Sequence, residues 1–300
     1  MNRNIAVVGT GKLGKALVTA LKGTGMDVIG ASDKNFSACH QFAQRAKIKA
    51  FNNVKELICM ADVIFLTVPD DKIEPLATQI SSYNISFKNK IFFHCSGSNG
   101  LELFNNLVTY ANVGCFHPLQ SFVQADTSFK DIYITIDGNE LVCNSAREII
   151  HKLQAKVLFV PSDQKALYHA AACLVCNYLV TLDALADEIF SRWSIPGRAL
   201  LPLIQGTVDN LAKSDSPIDA LTGPISRGDS TTIAKHLQIL PAKYLNSYIQ
   251  LGLQTCELAV KSQKLSLEQH EHITKLLQGA LREGIQTNER TECYHKHNYG

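Results

Sequence analysis

A glycine-rich segment near the start of the chain constrains the fold more than any other feature. Gly9, Gly11 and Gly14 have the spacing G-x-G-x-x-G, directly after the apolar run at residues 5–9 and at the start of a helical pattern at residues 12–21. In this setting the first glycine permits a tight turn, the second lets the backbone approach a pyrophosphate, and the third lets the helix pack closely on the strand. The pattern predicts a phosphate-binding loop within a βαβ unit.

Short β-branched runs alternate with amphipathic helical segments through the first half of the chain. Such alternation is typical of βαβ units, so we predict an α/β Rossmann domain with a mostly parallel, doubly wound sheet. The predicted strands cover residues 5–9, 27–32, 48–51, 63–68, 90–94, 112–116, 132–136 and 157–160. After Pro161 the strand patterns stop and helical periodicity continues. The sequence predicts a dinucleotide-binding domain at residues 1–160, a helical substrate or dimerisation domain at 161–285 and a flexible tail at 286–300.

The end of the second predicted strand bears on the choice of dinucleotide. Asp33 follows Gly11 by twenty-two residues, where a carboxylate accepts a hydrogen bond from a ribose 2′-hydroxyl and repels a 2′-phosphate. Asp33 therefore favours NAD over NADP, although Ser32 and Lys34 could instead hold a 2′-phosphate, so both cofactors remain candidates. The full predicted cofactor-binding set is Gly9, Thr10, Gly11, Lys12, Leu13, Gly14, Ser32, Asp33, Lys34, Val68 and Pro69.

Two histidines end consecutive predicted strands, at the sheet edge where open α/β sheets bind their ligands. Hydride transfer to a carbonyl or imine needs a proton donor, and histidine suits this role because its ordinary pKa lies near neutrality. We predict His117, which Pro118 fixes in place, as general acid or base. Ser96 is predicted to orient the substrate and His94 to contact it. The alternative for both histidines is a hydrogen-bonded structural role.

The apolar stretch at residues 162–193 predicts one long helix at the start of the second domain. On such a helix His169, Cys173 and Asn177 lie four residues apart along one ridge. Polar groups on an apolar ridge cost free energy unless they are paired. We therefore predict that His169 and Asn177 face the substrate as catalytic residues; the alternative is that they pair with neighbouring groups.

A polar, glycine-flanked loop at residues 221–229 carries one further candidate. Arg227 is predicted to bind a carboxylate or phosphate of the substrate, or alternatively to form an ion pair with Asp229. Asp229 itself is predicted to cap the following helix. No metal site is predicted, because His270 and His272 lie two residues apart and diverge on a helix.

The amino-acid composition limits the classes of partner that the chain is expected to bind. A formal net charge of +2, with 19% charged and 46% hydrophobic residues, gives no electrostatic reason to expect nucleic acid or an acidic membrane. The apolar run at residues 170–176 is shorter than the ~18 residues of a membrane span. The nine cysteines show no paired spacing, and the N-terminus leads into a strand without a signal peptide. These two features predict a soluble, cytoplasmic protein with reduced thiols.

Together the motifs resemble a bacterial family that pairs a Rossmann-like domain with a helical domain of unknown function. The matching stretches are the Gly9 loop, residues 61–71, 94–97, 116–122 and 168–172 with Asn177, and residues 221–229. This family is similar to pyrroline-5-carboxylate reductases, β-hydroxyacid dehydrogenases and deazaflavin-dependent NADP oxidoreductases. The resemblance implies an all-α domain like the C-terminal domain of 6-phosphogluconate dehydrogenase, a small-molecule substrate and a homodimer formed through the helical domain.

Two positions depart from these relatives. The β-hydroxyacid dehydrogenases carry a catalytic lysine four residues before an asparagine, and the corresponding position before Asn177 is Cys173. His169, one turn earlier, is the nearest replacement. Relatives also often carry a basic residue where this chain has Asp33, which puts NADP in doubt.

The sequence thus predicts an NAD(P)-dependent oxidoreductase that transfers a hydride between a nicotinamide and a small carbonyl, imine or alcohol. The main alternative is a non-catalytic dinucleotide-binding sensor or partner-docking protein, because fold alone does not establish chemistry. A third reading is hydride exchange between NADP and a deazaflavin, which would need a broad groove in place of a small pocket.

Overall fold

The computed structural model describes the backbone of residues 3–297 and the side chains of residues 3–282. Packing divides the chain into two compact units, Met1–Leu179 and Val180–Gly300. The switch from strands to helices follows residue 158, close to the predicted position, whereas the packing units divide about twenty residues later. Of the predicted tail, residues 298–300 lie outside the described residues and no side chain beyond residue 282 is described, so its flexibility stays a prediction.

An eight-stranded sheet forms the centre of the first unit. Its strands are β1 (Ile5–Val8), β2 (Val28–Ser32), β3 (Lys49–Ala50), β4 (Val63–Leu66), β5 (Ile91–His94), β6 (Asn112–Pro118), β7 (Tyr133–Gly138) and β8 (Lys156–Leu158). They lie in the order β3-β2-β1-β4-β5-β6-β7-β8. Every neighbouring pair is parallel except β6 and β7, which are antiparallel. The predicted mostly parallel, doubly wound sheet is confirmed.

Helices cover both faces of this sheet, which is why its central strands are apolar throughout. They are α1 (Lys12–Gly23), α2 (Phe36–Ala46), α3 (Val54–Met60), α4 (Asp70–Ser81) and α5 (Glu140–Lys152). On the face covered by α1, α2 and α5, the rings of Phe65, Phe93 and Phe116 meet with centroids 5.2–5.8 Å apart. Such offset and edge-to-face contacts add to the stabilisation from burial.

The register of the parallel strands brings three strand ends to one edge. Leu66 of β4 lies beside His94 of β5, and His94 lies beside Cys115 of β6. The segments that follow these residues therefore leave the sheet side by side. Strand β6 runs on to Pro118 by pairing with β7, which places His117 opposite Thr135.

The predicted long helix at residues 162–193 is interrupted. Helix α6 (Lys165–Val175) ends at Cys176, whose backbone angles are φ −107° and ψ −69°, and α7 (Asn177–Phe190) begins at the next residue. Short 3₁₀ turns flank the pair at Ser162–Gln164 and Ser191–Trp193. The predicted single helix is thus two helices in the structure, and the placing of His169 and Asn177 toward the substrate stays a prediction.

The stretch Ser162–Trp193 is nevertheless long and apolar enough to cross a membrane, by length and composition alone. None of its most apolar window is buried. Leu167, Val175 and Val180 each leave more than two thirds of their surface exposed. This surface was not anticipated from the shorter run at residues 170–176.

The second unit is helical. Its further helices are α8 (Leu201–Lys213), α9 (Ser230–Ile239), α10 (Ala242–Lys261) and α11 (Leu267–His297). Ile233 of α9, Ile249 of α10 and Ile273 of α11 are fully buried against one another's helices in a small core. Asp229 caps α9 as predicted, since its two carboxylate oxygens accept from the backbone N–H and the hydroxyl of Thr232 at 3.0 and 2.6 Å.

Candidate active site

The glycine loop joins β1 to α1, and its three glycines differ in what they are needed for. Gly9 has φ +103°, and a Cβ there would meet the backbone of Thr67 at 2.8 Å. A Cβ at Gly14 would collide with the Gly9 carbonyl oxygen, which also accepts from the Thr67 hydroxyl at 2.6 Å. By contrast, a Cβ at Gly11 would meet no atom within 4 Å. The protein's own packing requires Gly9 and Gly14, while Gly11 leaves open space at the N-terminus of α1, where a pyrophosphate fits.

The Asp33 carboxylate binds protein groups and does not have the free oxygens that the prediction requires. Its Oδ2 accepts from the backbone N–H and the hydroxyl of Thr10, and its Oδ1 accepts from the backbone N–H of Asn35 at 2.8 Å. Both carboxylate oxygens therefore hold the glycine loop and the start of α2. The sequence-based preference for NAD rested on a free carboxylate facing a ribose, and it is not supported.

Basic side chains line a cleft beside the glycine loop. A cleft of about 670 Å³ begins at Gly11 and Lys12 and continues between α1 and α2 along Lys15, Lys22 and Arg45. No carboxylate is among its lining residues. Cations in the first turn of a helix oppose the helix dipole, so Lys12 and Lys15 are placed where an anion would relieve the repulsion. This surrounding suits phosphate groups.

Asp70 organises the loop that follows β5. Its Oδ2 accepts from the hydroxyl of Ser96 at 2.6 Å, and from the side chains of Ser98 and Asn99 at 3.3 Å each. Asp70 is the first residue of α4, directly after Pro69. The sequence does not predict this role of Asp70. The only signals are the Pro-Asp-Asp sequence at residues 69–71 and the polar loop at residues 96–99. Ser96 is predicted to orient the substrate, but in the structure its hydroxyl donates a hydrogen bond to Asp70.

His117 forms a hydrogen bond with Tyr168. The two side chains approach at 3.1 Å between His117 Nδ1 and the Tyr168 hydroxyl. Burial raises the pKa of Tyr168 to about 12, so its hydroxyl keeps its proton. Burial, followed by the charges of His169 and Lys165, lowers the pKa of His117 to about 4. A neutral imidazole can accept from the Tyr168 hydroxyl at Nδ1, and in that tautomer it carries its proton at Nε2.

His169 lies across from His117 at this strand end. The two rings are nearly perpendicular, with centroids 5.9 Å apart. Gly97, from the loop after β5, passes between them: a Cβ there would lie 2.6 Å from His117 Nε2 and 2.7 Å from His169 Nδ1. His169 Nδ1 is buried and has no hydrogen-bond partner among the described residues. Gly97 is needed because only a residue without a side chain fits between the two imidazoles.

His94 lies deeper than predicted. Its side chain is fully buried, its ring packs 5.3 Å from that of Phe104, and its Nδ1 accepts from the backbone N–H of Ser96 at 3.3 Å. Burial lowers the pKa of His94 to about 4. A residue without exposed surface does not contact a substrate directly in this conformation, so the placement favours the structural alternative.

The structure does not test the roles predicted for Asn177 and Arg227, and a lysine that was not predicted is buried near the histidines. Asn177 lies beyond the helix break, and Arg227 is exposed in the second unit. Lys165, four residues before His169, is 2% exposed. Burial raises the pKa of the Cys115 thiol, and the charge of Lys165 and its hydrogen bond to that thiol oppose the rise. Lys165 lies eight residues before Cys173, so it does not occupy the position of the lysine carried by the β-hydroxyacid dehydrogenases.

Comparison with family models assigns both parts of the chain. Residues 4–92 match the model of coenzyme F420-dependent NADP oxidoreductases, and residues 132–255 match a domain of unknown function, DUF2520. The chain pairs these two domains. These two matches confirm the resemblance found in the sequence. No curated protein matches the sequence.

Solved structures agree on the fold. A Bacteroides fragilis protein described as an NADP oxidoreductase is 23% identical, with a TM-score of 0.73 over 85% of this chain and 98% of that one. A pyrroline carboxylate reductase from Plasmodium falciparum, solved with NADP bound, is 13% identical with a TM-score of 0.57 over 92% and 98%. A reductive aminase from Aspergillus terreus is 14% identical with a TM-score of 0.58 over 95% of both chains. At these identities the likeness shows the fold alone.

The open space at Gly11 gives a first prediction. Gly11→Val should lower the stability of the free protein by only about 1 kcal/mol, because valine is merely a poorer N-cap than glycine. Affinity for NADPH should fall more than tenfold, because the side chain fills the space that the pyrophosphate needs. Thermal unfolding and the fluorescence of bound NADPH measure the two effects. Gly23→Ala, at the open far end of the same helix, is the control, and equal NADPH affinity in both variants would contradict the assigned loop.

The lowered pKa values of His94 and His117, both about 4, give a second prediction. Between pH ~6.5, where unfolded histidine titrates, and pH ~4 the unfolded chain binds more protons than the folded one, so stability should fall as pH falls. Each imidazole should account for about 3 kcal/mol across this window. Urea unfolding at a series of pH values measures the slope. His94→Gln should flatten it by about one proton, whereas His40→Gln, on the exposed face of α2, should not. An unchanged slope in His94→Gln would show that His94 titrates normally.

Proposed function

We propose that this chain is an NADPH-dependent oxidoreductase that reduces a small carbonyl or imine compound at the carboxyl edge of β4, β5 and β6. The observation that carries the proposal is the convergence of His117, Tyr168 and His169 at this edge, in the same unit as the glycine loop. The reduction of unsaturated C=O or C=N bonds accords with the names of the structural relatives, a pyrroline carboxylate reductase and a reductive aminase. The cofactor, when bound, supplies the hydride.

His117 is assigned the central role in proton chemistry. As a neutral imidazole with its proton at Nε2, it donates a hydrogen bond to the substrate heteroatom on which negative charge develops. Tyr168 keeps the ring oriented by donating a hydrogen bond to Nδ1. His169, whose Nδ1 has no described partner, is the second candidate donor. Gly97 brings the backbone of the β5 loop against both rings and so shapes the edge of the site.

NADPH is assigned as the cofactor in preference to NADH. Asp33 is bound to the glycine loop and to Asn35, so its charge is partly satisfied within the protein. Lys34 is exposed directly after it, and Lys12 is exposed in the loop itself. These two ammonium groups are the candidates for the 2′-phosphate, since cations there offset its charge. The match to an NADP oxidoreductase model is consistent with this assignment.

Replacing the paired residues tests the reaction. His117→Asn and His169→Asn should each leave NADPH binding intact, and the variant that removes the proton donor should lose roughly 10²-fold or more in turnover. Tyr168→Phe should lower turnover less, because it removes only the partner of the ring. The measurement is NADPH oxidation in the presence of small 2-oxo acids, ketones and cyclic imines.

The second unit supplies a matched control. His236 Nδ1 and the Tyr248 hydroxyl form the same pairing at 2.8 Å, so His236→Asn should leave turnover unchanged. Full turnover in both His117→Asn and His169→Asn would refute the assigned proton donors. Tight NADPH binding without turnover of any substrate class would favour the dinucleotide-binding sensor.

We further propose that a second copy of the chain covers the apolar surface of α6 and α7. Leu167, Leu174, Val175, Val180 and Leu182 are all exposed in the single chain, and exposed apolar side chains in such number mark interaction sites. A bilayer is a poorer occupant, because Asp183, Asp187 and Glu188 follow on the same helix and charges at membrane depth are costly. The helix break at Cys176 also frees backbone groups that a bilayer would leave unpaired.

Light scattering after size-exclusion chromatography tests the dimer. The wild type should elute at twice the mass of the chain, and Val175→Asp with Val180→Asp should shift it to a monomer because two charges would be buried in the interface. Leu141→Asp, an exposed leucine on α5, is the control and should stay dimeric. A monomeric wild type, or one that is soluble only with detergent or lipid, would contradict the proposal.

A further inference from the structure

The basic cleft between α1 and α2 extends beyond the part that a dinucleotide would occupy. Strands β1 and β2 are parallel, so α1 runs back from the carboxyl edge of the sheet to its amino edge. Open α/β sheets bind dinucleotides at the carboxyl edge, where α1 begins with Gly11 and Lys12. Lys22 follows Lys12 by ten residues, which is about 15 Å along a helix. The part lined by Lys15, Lys22 and Arg45, here called the far cleft, therefore leads away from the proposed cofactor site.

The cations of the far cleft are not neutralised by the protein. The chain carries 27 acidic and 29 basic residues, yet no carboxylate lines this cleft. Within the part of the chain that the structure describes, none of Lys15, Lys22 and Arg45 forms an ion pair. Like charges that gather without counter-charges repel one another and destabilise the folded chain. Stability alone therefore does not explain why these three cations lie together.

Two of these cations are fixed by backbone carbonyls of α2 and of the residue that ends it. Lys22 Nζ donates to the carbonyl oxygen of Lys47 at 3.0 Å, and Arg45 Nε donates to that of Gln41 at 3.3 Å. An ammonium has three N–H donors and a guanidinium has five, so each bond leaves further donors for a ligand. A cation that is already held in position loses less side-chain freedom when it binds an anion.

The dimensions of the cleft favour a small compound over a macromolecule. Its volume of about 670 Å³ falls within the range of about 300–1,000 Å³ that is usual for small-molecule sites. The remaining wall comes from Val123 and Ala125, in the segment that joins β6 to β7, so the cations are recessed between three parts of the chain. The net charge of +2 gives the chain no general attraction for nucleic acids or acidic proteins.

We propose that the far cleft is a second phosphate site, which binds a small compound with two or more phosphate groups through Lys15, Lys22 and Arg45. Lysine and arginine bind phosphate oxygens with charge-assisted hydrogen bonds. One phosphate group carries a charge of about −2 at most, so three cations are balanced only by a compound with more than one. Binding there does not depend on the proposed reaction, because the far cleft shares no residue with the histidine cluster or the glycine loop.

Titration calorimetry of the full-length protein with inorganic tripolyphosphate tests this site. The glycine loop is first filled with saturating NADPH, so that the heat of binding reports a different site. We expect one tripolyphosphate per chain. The affinity should fall as the KCl concentration rises, because salt screens the attraction between the cations and the phosphates.

Substitutions locate the binding in the far cleft. Lys15→Gln and Arg45→Gln should each weaken the binding of tripolyphosphate about tenfold, because each removes a charge-assisted hydrogen bond. Lys15→Arg keeps the charge and should bind within a factor of about three of the wild type. Lys88→Gln replaces an exposed lysine in the turn before β5 and is the matched control, with unchanged affinity. Thermal unfolding checks that each variant is folded, and the two glutamine variants test the site independently.

Two results overturn the proposal: no binding of tripolyphosphate once the glycine loop is filled, or wild-type affinity in both Lys15→Gln and Arg45→Gln. If the wild type binds no NADPH, the titration is made in Gly11→Val, whose side chain fills the glycine loop. Binding in Gly11→Val would then support the second site while the proposed oxidoreductase fails. Loss of binding in Gly11→Val would show that tripolyphosphate binds only at the glycine loop and would also overturn the proposal.

Discussion

Parallel pairing of β1, β4, β5 and β6 determines where the functional side chains of the first unit lie. Parallel strands end at the same edge, and here the register sets Leu66, His94 and Cys115 side by side. The segments that follow bring Asp70, Gly97 and His117 to one place although they are far apart in sequence. The antiparallel pairing of β6 with β7 extends β6 beyond its parallel neighbour and lifts His117 above His94. That extension explains why one histidine reaches the edge and the other is enclosed.

The site is built from groups that the fold would be more stable without. His94 Nε2 and His169 Nδ1 are both buried without described partners, and each such atom costs free energy. The apolar packing beneath them offsets this: the clustered rings of Phe65, Phe93 and Phe116 are fully buried. These unpartnered polar atoms lie at one edge of the sheet, while apolar side chains pack against its two faces. Stability exchanged for function in this way is expected at active sites.

The sequence predicted features that depend on local pattern and missed those that depend on the folded surroundings. Apolar strands, the glycine loop and the Asp229 cap follow from residues adjacent in the chain, and the structure has all three. Asp33 followed a sequence rule for ribose binding, but its oxygens are taken by Thr10 and Asn35 once the loop closes. The break at Cys176 could not be seen because both flanking segments are equally helical in composition. The burial of Lys165 could not be predicted from the sequence, since it arises only when the chain folds.

The protonation state of His117 narrows the chemistry that the proposed site can perform. A neutral imidazole is a weak acid but a good hydrogen-bond donor, so it serves best where negative charge develops on an oxygen during hydride transfer. It is less suited to protonating an imine nitrogen before hydride arrives, since a group with a pKa of about 4 is not charged at neutral pH. An imine substrate would therefore have to enter already protonated. For the reaction proposed here this favours a carbonyl compound, whose oxygen could accept the hydrogen bond that His117 is proposed to donate from Nε2.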